Sequence, residues 1–126
     1  MSVNNLRTKR DNQQWMLDLA LNMRGRVQNF ERDDWETPKR AHNYRMLPKM
    51  WRQKAEHDEA LGKQAQEQGF DATAAEHYDH AIEAYRMSQH PIFYDDNPVK
   101  IATYDKLCEM VDRRSATAPY PIERVE

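Results

Sequence analysis

His77 and His80 lie three residues apart, a spacing that puts both on one side of an α-helix. With His57 on a neighbouring helix, the three imidazoles could in principle share a metal ion. A closed site also needs further ligands of suitable type from other elements, with partners that orient them. The sequence contains no Glu-x-x-His pair, the motif that di-metal carboxylate bundles use. Two histidines on a solvated or docking face is the simpler reading, so no metal and no other cofactor is expected.

Asp58 is the one carboxylate on an otherwise apolar helical stripe. It would serve as a general base only if its environment tuned it, and an edge carboxylate paired to Lys, Arg or Tyr is the better expectation. Cys108 also falls on an apolar stripe, as a packed thiol rather than a nucleophile. The serines are Ser2, Ser88 and Ser115 and the glycines Gly25, Gly62 and Gly69, from which neither a Gly-x-Ser-x-Gly elbow nor a phosphate-cradling loop can be assembled. Tyr85, His90, Phe93 and Tyr94 lie at a helix end and in the loop after it. They are the best candidates for lining a substrate pocket, while the tryptophans and the other tyrosines at helical spacing read as core.

The elements that position these residues are helices. Asp11 or Asn12 caps a first one to about Arg24, with Gly25 to end it and Trp15, Leu19 and Met23 on one face. Residues 26–46 carry Val27, Phe30 and Trp35 as anchors but define no clear boundaries. Pro48 opens a long helix to Gln68, closed by Gly69, with Leu47, Trp51, Ala55, Asp58, Leu61, Gly62 and Ala65 in one stripe. Asp71 or Thr73 starts the next, where Thr73-x-x-Glu76 fits a capping box. Its face is Ala74, Tyr78, Ala81, Ile82 and Tyr85, with a weaker opposite strip of His80, Ala84 and Met87. The short loop between these two helices requires antiparallel packing. After Pro91 to Asn97, Asn97 and Pro98 begin a last helix to about Asp112, its face Ile101, Tyr104, Leu107, Cys108 and Val111. The end of the chain, Pro121 to Glu126, alternates like the start of a strand.

The totals agree with this reading. The chain has 126 residues, 39% of them hydrophobic, enough for one domain with a core, and three glycines are too few for a strand-rich fold. Charged residues make up 32% but nearly cancel, to a formal net charge of −2, and no basic stripe marks a nucleic-acid surface. A lone cysteine and the absence of any apolar signal or membrane-spanning run fit a cytoplasmic protein with no membrane contact. The expected fold is all-α: an irregular helical bundle around a central antiparallel helix hairpin, with a short extended C-terminal tail.

Two resemblances meet on the hairpin. Gly69-Phe70 followed by Ala75, Tyr78, Ala81-Ile82 and Tyr85 is similar to the second half of a tetratricopeptide repeat, with Leu61-Gly62 as a partial match upstream. A longer set resembles the helical N-terminal region of one α/β-hydrolase group, which includes 2,6-dihydroxypseudooxynicotine hydrolase and the fungal polyketide-shortening hydrolases. It comprises Trp51, Ala55, Gly69, Ala74 or Ala75, Tyr78, Ala81, Tyr85-Arg86, Ser88, Pro91, Pro98, Lys100 and Tyr104, and covers roughly residues 45–126. The closing Pro121-Ile122-Glu123-Arg124-Val125-Glu126 resembles the entry to the first hydrolase strand.

The second resemblance implies a cap or lid. Residues 1–10 would be a lead-in, 11–114 the cap-like domain, and 115–126 a linker and the start of a strand belonging to a hydrolase body. That body, in cis or as a separate chain, would be the main partner and would hold the nucleophile, acid and histidine, so none of these falls on this chain. A small aromatic or polyketide-like substrate would meet Tyr85, His90, Phe93 and Tyr94. The chain alone would then be inactive in cleaving C–C or ester bonds, and homo-oligomerisation is compatible with this reading. A tetratricopeptide-like interaction module is the alternative.

Overall fold

The structure, a computed structural model, describes residues 14–15, 18–19, 41, 43–123 and 125. The cap at Asp11 or Asn12 and the anchors Val27, Phe30 and Trp35 lie outside them. Three long helices follow one another: α1 (Leu47–Glu67), α2 (Asp71–Gln89) and α3 (Pro98–Ala116), with a short 3₁₀ turn, Tyr44–Met46, before α1. No strand occurs among the described residues, and the fold is all-α. α1 packs on α2 and α2 on α3, so α2 is the middle layer.

The chain punctuates these helices with few residues. Asn43 caps the 3₁₀ turn by accepting from the Met46 N–H, and Pro48 sits in the first turn of α1, where its missing N–H costs nothing. Gly69, at φ +80°, ends α1: its own N–H donates to the Gln66 carbonyl and the Phe70 N–H to that of Ala65. This paired arrangement satisfies carbonyls that the last turn leaves open and reverses the chain within three residues. α2 starts at Asp71 with no side-chain cap, so the capping box expected at Thr73 and Glu76 is not formed. The Ala74 N–H donates instead to the Phe70 carbonyl, because the turn out of α1 already holds the backbone in helical register two residues earlier. Asn97 caps α3 through its side chain, accepting from Val99 and Lys100, with Pro98 in the first turn.

The core lies between α1 and α2. α1 buries Leu47, Trp51, Ala55, Asp58, Gly62 and Ala65, and α2 buries Ala74, Tyr78, Ala81, Ala84, Tyr85 and Ser88. Gly62 on α1 lets the Tyr78 ring of α2 approach its backbone closely. The Tyr78 hydroxyl donates to Gln66 at 2.7 Å, and the Ser88 hydroxyl donates to the Pro48 carbonyl at 2.6 Å, tying the end of α2 to the start of α1. Asp58 is buried and pairs with Lys54 at 2.7 Å, as a carboxylate on an apolar stripe requires. Ala84 is buried and Met87 packs against the core cluster, so this weaker strip finds cover within the chain.

α3 departs from expectation. It buries Thr103 and Met110, while Ile101, Tyr104 and Val111, assigned to the core by spacing, are exposed. Thr103 can turn inward because its hydroxyl donates to the Val99 carbonyl of the preceding turn. Long cations then reach across from its flanks: Lys106 to Glu59 at 2.8 Å and Arg114 to Asp79 at 2.9 Å. The helix also continues past Asp112 to Ala116. Beyond it, Pro121 to Glu123 carry no strand, because an alternating segment needs a neighbouring ladder to pair with.

The tryptophans divide as well. Trp51 is core, but Trp15 is more than half exposed, as is nearly half of Leu19. Near them the buried residue is Gln14, which accepts from the Tyr44 N–H at 2.9 Å and anchors this helical stretch to the entry of α1.

Candidate functional site

The three helices meet chemically at Glu59. From α1 its carboxylate accepts from Tyr85 of α2 at 2.9 Å, from Lys106 of α3 at 2.8 Å and from Lys63 one turn along α1 at 2.8 Å. Lys106 also reaches Glu109, which lies near Arg113. The network borders a cavity of about 510 Å³ whose other walls include Arg52, Glu56, Val99, Ala102 and Thr103.

Electrostatics fix the charge state of these groups. Burial pushes the Glu59 carboxyl up, but hydrogen bonds from Lys106, Lys63 and Tyr85 outweigh it and hold the group at about 2. Burial, the hydrogen bond to Glu59 and the charges of Glu59, Glu56 and Glu109 push the Tyr85 phenol well above its ordinary range. Lys106 is opposed by burial yet held protonated by Glu109 and Glu59, and Glu109 is lowered chiefly by Lys106. A general acid or base works best when its pKa lies near the working pH. Glu59 and Tyr85 sit far from that on opposite sides, so the arrangement holds charges in place rather than moving protons.

Of the residues marked by the sequence, Tyr85 lines this cavity, although it is otherwise buried. His90 caps the end of α2 and is exposed, and Phe93 and Tyr94 stand in the α2–α3 loop, each 74% exposed. These three are close in the chain but do not border the Tyr85 cavity. Glu59 and Lys106 were missed in the sequence because each is one charge among many on a polar flank. Their pairing depends on how α3 packs on α2 so that Lys106 reaches across to α1, which no local spacing records.

The histidines do not assemble. Among the described residues, no group of three or more His, Cys, Asp or Glu side chains is placed to hold a metal ion. No helix of the described residues is long and apolar enough to cross a membrane.

A second cavity, of about 840 Å³, runs along the outer side of α3. Tyr104, Leu107, Cys108 and Val111 form one wall, and the chain returning from Ala118 to Glu123 forms the other. It exists because Tyr104 and Val111 of the apolar stripe lie on the exposed side of α3, while half-buried Leu107 also packs against the core. Cys108, half-buried, is therefore packed at this wall rather than in the core.

No family model matches the chain, and neither a curated protein nor a solved structure does.

Proposed function

We propose that this chain is a helical domain that shapes and shields the substrate pocket of an α/β-hydrolase-like body, without catalytic residues of its own. The observation that carries this reading is the α2–α3 loop. Phe93 and Tyr94 stand side by side in water, with exposed His90 at the helix end just before them. Exposed aromatic side chains in the loop between two helices suit contact with a small aromatic or polyketide-like substrate, whose ring they would cover while excluding water. The Glu59 network fits the same role, since it fixes the helices to one another and leaves proton transfer to groups outside this chain.

The reading frame beyond Glu126 tests this. A Gly-x-Ser-x-Gly about a hundred residues downstream, on a strand-to-helix turn, is the expected result. Continuation into a different fold would overturn the in-cis form. Turnover of ester or β-diketone substrates by the purified chain would overturn the non-catalytic reading altogether.

One observation favours a second reading, a tetratricopeptide-like interaction module. Gly62, preceded by Leu61, lies against the ring of Tyr78, which follows Ala74 by four positions. Leu-Gly on one helix and Ala-x-x-x-aromatic on the next are elements of that repeat. Under this reading a peptide binds the isolated chain, and no hydrolase activity depends on it.

A further inference from the structure

We infer that the groove on the outer side of α3 binds a peptide segment that presents apolar anchors together with at least one arginine or lysine. The inference stands apart from the hydrolase reading, since it uses a different face of the molecule.

The shape comes first. Tyr104, Leu107 and Val111 of α3 face Pro119, Pro121 and Ile122 of the returning tail across about 840 Å³. That volume lies within the range of sites that hold several ligand side chains. Tyr104 is 55% exposed and Tyr120 61%, so the groove is open along its length and suits a segment laid into it better than an enclosed molecule.

Charge then selects the segment. The charged side chains lining the groove are Asp112 and Glu123, and no Lys, Arg or His of the described residues lines it. Neither carboxylate has an ion-pair partner among the described residues. Elsewhere on α3, Glu109 has Lys106 and Arg113 and Arg114 has Asp79 of α2, while exposed Asp105, like Asp112, has no ion-pair partner among the described residues. A wholly apolar segment would take two carboxylates partly out of water with nothing in return, and an acidic one would add repulsion. A guanidinium or ammonium group answers both carboxylates. The exposed Tyr104 and Tyr120 rings also offer it faces on which a cation is attracted by the π-system.

Panning a phage-displayed random-peptide library on the full chain tests the inference, followed by fluorescence anisotropy with the enriched peptide. The expected consensus combines apolar residues with arginine or lysine. Binding should weaken about tenfold or more in Asp112→Lys. It should weaken several-fold in Tyr104→Ala and on raising the salt concentration. Glu67→Lys, at the exposed end of α1, should leave it unchanged. Circular dichroism on each variant separates lost binding from lost folding. No enrichment, an acidic consensus, or equal binding to Asp112→Lys would overturn the inference. None of these outcomes depends on whether a hydrolase body exists.

Discussion

Gly62 of α1 and Tyr78 of α2 touch so closely that a Cβ on Gly62 would lie 2.7 Å from Cε1 and 2.8 Å from Cδ1 of the ring. Tyr78 is fully buried and its hydroxyl is held by Gln66, so the ring has no free direction in which to retreat. Gly62→Ala gains about 1 kcal/mol in helix propensity but incurs about 1–3 kcal/mol of overpacking, as the ring and the backbone around it shift to make room. The expected result in urea unfolding is net destabilisation. In a Tyr78→Leu background the same change should cost little or become stabilising. Equal effects in the two backgrounds would show that the contact does not set the helix separation.

Gly69 makes a different demand. Nothing lies within 4 Å of an added Cβ there, but its φ of +80° is a conformation that L side chains rarely adopt. Gly69→Ala should therefore cost about 1–2 kcal/mol through backbone strain alone. Gly69→Asn should cost less, because asparagine tolerates the left-handed region. A Gly69→Asn variant as unstable as Gly69→Ala would point to some cause other than backbone conformation.

Glu59 should govern the acid limb of stability. Its carboxyl is held at about 2, below the ordinary 4.5, so folding is favoured by its ionised form. That contribution is complete above about pH 4.5 and is lost as the pH falls toward 2. In Glu59→Gln, stability measured by denaturant across that window should fall less steeply than in the parent. Identical slopes would mean that other carboxylates dominate acid unfolding.

Two single hydrogen bonds at helix ends have separable costs. Ser88→Ala removes the 2.6 Å bond to the Pro48 carbonyl and should cost about 1 kcal/mol. Asn97→Ala removes the α3 cap and should cost about 0.5–2 kcal/mol. Hydrogen exchange distinguishes them: the first should loosen the α1–α2 hairpin, and the second should loosen the start of α3.

The hairpin was legible in the sequence because its signals are local and agree. Pro48 and Gly69 mark its ends by backbone chemistry, as Asn97 and Pro98 mark the start of α3, and the stripes from Leu47 to Ala65 and from Ala74 to Tyr85 repeat at the helical period. α3 misled because its most apolar side and its buried side differ. Met110 fills the core with only half-buried Leu107 of the expected face beside it, Thr103 satisfies its own hydroxyl, and Lys106 and Arg114 supply cross-helix bonds that hydrophobic spacing does not count. The candidate site was legible only in part. Tyr85 stood out as an aromatic at a helix end, but its partner Glu59 is distant in sequence and was one acidic residue among many.

The sparse inner face of α3, with Thr103 and Met110 buried against six residues in each of the other helices, divides the domain into unequal tiers of local stability. Little apolar area beyond Met110 and half-buried Leu107 opposes its release, and of its cross-helix ion pairs the exposed Arg114–Asp79 adds little while Lys106 holds to the largely buried Glu59. The amides of α3 should thus exchange through a partial opening that leaves α1 and α2 folded. Both walls of the outer groove come from α3 and the segment after it, so the groove is lost when α3 unravels. A peptide seated there can bind only the closed form, and its occupancy would appear as slowed exchange along α3. Unravelling of α3 and loss of the groove are thus one event, and a bound segment would brace the helix against its own tail.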